Sequence, residues 1–133
     1  MAAVGQNLCK IRDIFRSIMD FEADFRQKHN LCLNEGMLLC SLQNGKLSTK
    51  ELAKLLGLTL SNSSKVIKSL ENKMFIKRTL GKTDKRQMYF SLTAKGSEKL
   101  KEINCKEHSI LLILNDIADI LQTNNYEQNF YNK

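Results

Sequence analysis

The chain has 133 residues, which is the size of one small domain. Its composition, with 42% hydrophobic and 26% charged residues, excludes a mainly disordered protein. The longest unbroken apolar run, Ile110 to Leu114, spans five residues, whereas a membrane-spanning helix needs about 20. Charges at Lys10, Arg12 and Asp13 interrupt the N-terminus before a signal-peptide core can form. We therefore expect a cytoplasmic protein with no membrane partner.

The positive charge is concentrated in one third of the chain. The net charge is +7, yet residues 46–90 alone hold eleven Lys/Arg and three Asp/Glu, a net charge of +8. Such a concentration is typical of a surface that binds a polyanion. A basic face kept for solubility is the alternative interpretation of the charge alone.

Apolar residues at three- and four-residue spacing predict a helix at each end of the chain. The first helix covers about residues 6–28, and its apolar face carries Leu8, Ile11, Phe15, Ile18 and Phe25. A single long helix is predicted over about residues 94–121, and its segment Ile110 to Leu114 needs apolar partners on nearly every side. We expect these two helices to pair two copies of the chain into a homodimer, with a polar tail over 122–133.

Local signals over about residues 34–92 predict three short helices. Asn34 is predicted to cap the first of them. Ser48 and Glu51 have the spacing of a capping box, and Gly57 ends the helix that this box begins. After a tight turn, Thr59 or Ser61 is predicted to cap the third short helix, which is the fourth helix of the chain.

The period changes to two after this helix, which indicates strands. Met88, Phe90 and Leu92 alternate with polar residues, and the segment from Phe75 to Leu80 precedes them across a basic turn. Two short helices at a tight turn followed by a hairpin make a winged helix-turn-helix. The predicted fold is therefore mainly α with a small two-stranded β-wing, a winged helix-turn-helix with N- and C-terminal dimerisation helices, in a single domain spanning 1–133.

The second helix of a helix-turn-helix lies in the DNA major groove, with its N-terminal residues at the base edges. Asn can bond adenine with two hydrogen bonds, and Lys can bond guanine. The predicted DNA contacts on this helix are Ser61, Asn62, Ser63, Ser64, Lys65 and Lys68. The predicted contacts on the wing are Lys82, Asp84, Lys85 and Arg86, with Arg86 in the minor groove and the Asp84 carboxylate holding its guanidinium.

Two motifs resemble the multiple antibiotic resistance regulator (MarR) family. The run from Leu47 to Arg78 is similar to the helix-turn-helix of that family, and Asp84-Lys85-Arg86 followed by Leu92-Thr93 and Gly96 is similar to its wing signature. The resemblance implies a homodimeric transcription regulator, usually a repressor at a palindromic operator, that a small organic ligand, an oxidant or a metal releases. It also implies that Asn62, Ser64, Lys65 and Lys68 read bases and that Arg86 enters the minor groove.

The chain departs from this family at two places. Met74 stands where the family usually has glycine, and methionine adopts a left-handed backbone only at an energetic cost. The family also usually has a further C-terminal helix, where this chain has the polar tail.

Other functions have weaker support in the sequence. His29 with Cys32 and Cys105 with His108 have a spacing that suits Zn²⁺, but an exposed histidine and a buried cysteine are common, so we predict no metal and no other cofactor. No phosphate loop or catalytic triad is present, so we do not expect an enzyme. A winged-helix protein-interaction module without sequence-specific DNA binding is the alternative function, although protein interfaces tend to be depleted in lysine.

Overall fold

The structure, a computed structural model, describes residues 2–81, 86–104 and 107–122. Within these residues the elements in chain order are α1 (Ala2–His29), α2 (Leu33–Ser41), β1 (Leu47–Ser48), α3 (Thr49–Leu56), α4 (Leu60–Asn72), β2 (Ile76–Leu80), β3 (Met88–Leu92), α5 (Ala94–Asn104) and α6 (Glu107–Gln122). The predictions for Lys82, Asp84, Lys85, Cys105 and the tail beyond Gln122 fall outside the described residues.

The chain divides into two compact units, and the expectation of a single domain spanning 1–133 stays a prediction. The terminal unit contains α1 up to Lys28 together with α6, and the winged-helix unit runs from His29 to the end of α5. The expected single helix over 94–121 is described as α5 and α6, which lie on either side of residues 105–106, and these two residues fall outside the described ranges. α5 buries Leu100 and Ile103 and packs on α2 and β3, so its apolar stripe belongs to the winged-helix core.

α2 does not begin where the sequence predicted. Asn34 lies inside the helix, and Cys32 is the N-cap residue. The backbone N–H of Cys32 donates to Glu35 Oε1 at 2.9 Å, so the side chain three residues into the helix satisfies a donor that has no helical partner. Glu35 therefore positions the start of α2, and the prediction for Asn34 is corrected.

The local signals around α3 and α4 are confirmed. The N–H of Glu51 donates to Ser48 Oγ at 3.2 Å, and the N–H of Ser48 donates to Glu51 Oε1 at 3.0 Å, which is the predicted capping box. Gly57 ends α3 in the left-handed conformation with φ of 67°. Thr59 caps α4 by accepting the N–H of Asn62 at 3.0 Å. The turn between the two helices is therefore determined by short-range contacts.

The β-sheet has three antiparallel strands where the sequence predicted two. The strand order is β1-β3-β2, and the hairpin pairs Ile76 with Leu92 and Leu80 with Met88. The additional strand is β1, whose Leu47 pairs with Phe90 of β3. A two-residue strand has no detectable alternation, so only pairing with a distant strand could show it.

The core of the winged-helix unit is formed by buried aliphatic side chains from its helices and by Phe90 of the wing. The fully buried leucines are Leu31, Leu38, Leu39, Leu52 and Leu70. Burial of such side chains contributes about 1.5–3 kcal/mol each to the free energy of folding. The core therefore fixes α3, α4 and the wing in one rigid arrangement.

The end of α4 is a Schellman motif with methionine at the left-handed position. The N–H of Phe75 donates to the carbonyl of Leu70 at 3.0 Å, and the N–H of Met74 donates to that of Glu71 at 2.9 Å. Met74 has φ of 65°, and its side chain is 67% exposed. The left-handed backbone with which glycine usually ends such a helix is thus retained at Met74. It raises the conformational free energy of the folded chain, as expected for a residue with a Cβ.

Candidate nucleic-acid interface

One exposed face of α4 carries five of the six residues that the sequence predicted to contact DNA from this helix. Ser61, Asn62, Ser64, Lys65 and Lys68 are all exposed. The backbone N–H of Asn62 donates to the Thr59 cap, and the Asn62 side chain is exposed. The N-terminus of α4, with its positive dipole end and small polar side chains, can approach a nucleic acid closely.

Ser63 does not belong to this face. Its side chain is fully buried, at 0% exposed, on the side of α4 that packs against the winged-helix core. The prediction that Ser63 contacts DNA is therefore corrected. Among the described residues its Oγ has no hydrogen-bond partner, so a polar hydroxyl is buried without compensation.

We expect Ser63→Ala to stabilise the protein by about 1 kcal/mol, because it removes a buried hydroxyl without a partner and adds a better helix former. DNA affinity should not change. Urea unfolding followed by circular dichroism, together with a binding isotherm on duplex DNA, measures both. Ser64→Ala on the exposed face is the matched control. A loss of DNA binding in Ser63→Ala but not in Ser64→Ala would contradict the burial of Ser63.

Arg86 lies in the turn that precedes β3, beside the start of α3. Arg86 is exposed, and a recess of about 400 Å³ is lined by Ser48, Thr49, Lys50, Arg86, Gln87 and Met88. The N–H of Gly81 donates to the carbonyl of Gln87 at 2.9 Å and closes the described part of the hairpin. Arg86 and Lys50 therefore add positive charge at the α3 end of the winged-helix unit.

Sequence reasoning missed an ion pair between α4 and the wing. Arg78 Nε donates to Glu71 Oε2 at 2.7 Å, and Arg78 Nη2 donates to Glu71 Oε1 at 2.6 Å. The hydrogen bond from Arg78 lowers the pKa of Glu71, against a smaller effect of burial, and the same bond raises the pKa of Arg78. The two residues are seven positions apart across the end of α4, a spacing that no helical or strand pattern detects.

This ion pair lies in a groove between α4 and the sheet. The groove has a volume of about 660 Å³, and its lining includes Ser64, Lys68, Glu71, Asn72 and Arg78. Ser64 and Lys68, which the sequence predicted to contact DNA, thus share one surface with Glu71 and Arg78, for which the sequence made no such prediction.

The candidate metal ligands do not form a site in the described part of the chain. His29 and Cys32 lie at the start of the winged-helix unit, His108 lies on α6, and Cys105 falls outside the described residues. No group of three or more His, Cys, Asp or Glu residues within the described ranges could hold a metal ion.

None of the described helices is both long and apolar enough to cross a lipid bilayer.

A family model described as the transcriptional regulator SarA/Rot matches residues 21–103. Among curated proteins, the HTH-type transcriptional regulator YwaE of Bacillus subtilis, described as uncharacterised, is 33% identical over 64 residues. That match covers 48% of this chain and 37% of YwaE, so it spans well under half of the relative. Its 64 residues are about the size of a winged helix-turn-helix.

Solved structures of similar fold include AbsC, a MarR family transcriptional regulator from Streptomyces coelicolor, with a TM-score of 0.71 and 20% identity. The likeness covers 96% of this chain and 84% of AbsC. The MepR–DNA complex from S. aureus has a TM-score of 0.60 and 21% identity, covering 84% of this chain and 98% of MepR. These likenesses establish the winged-helix fold.

Proposed function

We propose that this chain, which belongs to the SarA/Rot family of transcriptional regulators, is a homodimeric repressor that binds a palindromic operator in double-stranded DNA. The observation that carries the proposal is the exposed face of α4, where Asn62, Lys65 and Lys68 follow a capped tight turn. Release by a small-molecule effector, which the family resemblance implies, is part of the same proposal.

The charge of the winged-helix unit supports DNA as the partner. The segment 46–90, with a net charge of +8, includes α3, α4 and the wing. Lysine and arginine on such a surface release counterions from the phosphate backbone, which supplies sequence-independent affinity. Polar side chains at the N-terminus of α4 would then discriminate among bases.

Base reading by α4 can be separated from backbone binding by substitution. Asn62→Ala and Lys65→Ala are expected to reduce the difference in binding free energy between a selected duplex and a scrambled one. The expected loss is about 1–3 kcal/mol for each bidentate contact with a base that is removed. Arg86→Ala is expected to weaken binding strongly through the loss of its minor-groove contact. The selected duplex comes from a random-library selection with the wild-type protein, and isotherms are measured on both duplexes at two salt concentrations.

Lys101→Ala, on the exposed side of α5, is the matched control and should leave both isotherms unchanged. Equal losses on both duplexes for Asn62→Ala and Lys65→Ala would mean that α4 does not read sequence. A wild-type protein that shows no salt-dependent affinity for any duplex would favour the protein-interaction module instead.

The homodimer is supported by apolar surface on the terminal unit. The exposed large apolar side chains on its two helices are Leu8, Ile11, Phe15, Ile18, Met19, Leu111, Leu112, Leu114 and Leu121. Leu8, Ile11, Phe15 and Ile18 are spaced by three and four residues along one face of α1, and exposed apolar surface of this kind is typical of an interface. A two-fold dimer would also present two α4 helices to half-sites about one turn of DNA apart.

We expect light scattering to give twice the chain mass of 15.3 kDa at micromolar concentration. Leu114→Glu should convert the protein to a monomer, because Leu114 is 56% exposed in the single chain and an unpaired charge in an apolar interface costs several kcal/mol. Leu55→Glu, which makes the same change at a 63% exposed leucine of α3 outside the terminal unit, is the control and should remain dimeric. A wild-type mass of one chain would reject the homodimer.

A further inference from the structure

The ion pair between Glu71 and Arg78 has a geometry that fixes the guanidinium. Two parallel hydrogen bonds of 2.7 and 2.6 Å join the carboxylate to the guanidinium, which is the strongest arrangement available to these groups. The guanidinium carbon of Arg78 also lies 5.7 Å from the centre of the Phe90 ring. Arg78 is thus held from two sides, although its side chain is 55% exposed.

The pair faces the surface that is proposed to contact DNA. Ser64, Lys68 and Glu71 are spaced by four and three residues, so they lie on one face of α4. Together with Arg78 they line the groove of about 660 Å³ between α4 and the sheet. A carboxylate at this position repels phosphate, whereas a guanidinium without a carboxylate partner attracts it.

Carboxylates are scarce in this part of the chain. Residues 46–90 contain only Glu51, Glu71 and Asp84 as acids against eleven bases. Glu51 is used in the capping box of α3, and Asp84 is outside the described residues. Since the Arg78 hydrogen bond lowers the pKa of Glu71, its carboxylate stays charged at neutral pH and the pair carries no net charge.

We propose that Glu71 is a positioning residue that holds the Arg78 side chain of the wing against α4 and cancels its charge at the DNA surface, which weakens sequence-independent binding to duplex DNA. This inference rests on the proposed function, because it requires that α4 and the wing contact DNA. Arg78 without Glu71 would add one phosphate contact per protomer. Glu71 therefore limits how tightly the protein binds non-operator DNA.

The test is a charge cycle on a scrambled duplex. The slope of log affinity against log salt is measured for the full-length wild type and for Glu71→Gln, Arg78→Gln and the double variant. Glu71→Gln should steepen the slope by about 0.9 per protomer. Between 50 and 200 mM salt, the affinity of this variant should therefore fall by a factor about 3.5 times larger per protomer than that of the wild type. Arg78→Gln should make the slope shallower, because it leaves the carboxylate unpaired, and the double variant should match the wild type.

Glu98→Gln, which removes an exposed carboxylate from α5 outside the groove, is the control and should keep the wild-type slope. An unchanged slope in Glu71→Gln, or an equal change in Glu98→Gln, would overturn the inference but leave the proposed function standing. If Glu71→Gln does not fold by circular dichroism, the double variant should still have a steeper slope than Arg78→Gln, and equal slopes for these two overturn the inference. A wild-type protein without salt-dependent duplex binding overturns both.

Discussion

Gly96→Ala is expected to lower the free energy of unfolding of the winged-helix unit by about 3 kcal/mol, the upper end for overpacking at a tight site. A Cβ on Gly96 would lie 1.9 Å from the carbonyl oxygen of Phe75 and 2.9 Å from its carbonyl carbon. Both contacts are with backbone, so no side-chain rotation can relieve them.

The contacts around Gly96 explain why the backbone cannot move freely. The N–H of Thr93 donates to the same Phe75 carbonyl at 3.0 Å. Thr93 Oγ1 donates to the carbonyl of Met74 at 2.7 Å and accepts the N–H of Gly96 at 2.9 Å. Displacement of α5 would break these bonds and disturb the end of α4 at the same time.

The measurement is urea unfolding of Gly96→Ala followed by circular dichroism. Glu98→Ala is the matched control, since it is an exposed residue of the same helix and should change stability by no more than about 0.5 kcal/mol. Equal stabilities of the two variants would show that α5 does not approach Phe75 this closely.

Glu35→Ala is expected to cost about 2–3 kcal/mol of stability, because this buried carboxylate joins α2 to α4. Glu35 accepts the N–H of Cys32, and its Oε2 accepts from Ser69 Oγ at 2.8 Å and from Lys73 Nζ at 2.9 Å. Lys73 is about one-third exposed, so water weakens the ionic part and most of the loss comes from the hydrogen bonds. Asn34→Ala is the control and should cost far less, because Asn34 is not the cap.

The acid dependence of stability provides a second test of Glu35. Burial is the largest single influence and raises the pKa of Glu35, but the bonds from Cys32, Lys73 and Ser69 and the charge of Lys73 together bring it below the ordinary value of 4.5. The unfolded chain therefore binds the proton first as the pH falls. The stabilisation by the charged form is complete above pH 4.5 and is lost as the pH falls through the folded pKa.

Glu35→Gln has no such titration, so its stability deficit relative to the wild type should be largest at neutral pH and should shrink below pH 4.5. Thermal melts of both proteins between pH 3 and 7 measure this difference. A deficit that stays constant over this range would contradict a charged Glu35 in the folded protein.

The capping and stop signals of the helix-turn-helix could be predicted from sequence because each acts within a few residues. Ser48 with Glu51, Gly57 and Thr59 are confirmed at the predicted positions. The hairpin followed from period-two alternation for the same reason. The exposed residues of α4 were also accessible to this reasoning, and their contact with DNA stays a prediction.

Only the tertiary structure decided features that depend on contacts between distant residues. Glu35 outcompetes Asn34 as the determinant of the α2 cap because Ser69 and Lys73, more than 30 residues away, hold its carboxylate in place. Ser63 is polar, and packing of α4 on the core decides that it is buried. β1 exists through its pairing with β3, and Glu71 meets Arg78 through the turn that Met74 makes at the end of α4. Sequence periodicity reports the face of a single element, whereas these features arise where two elements meet.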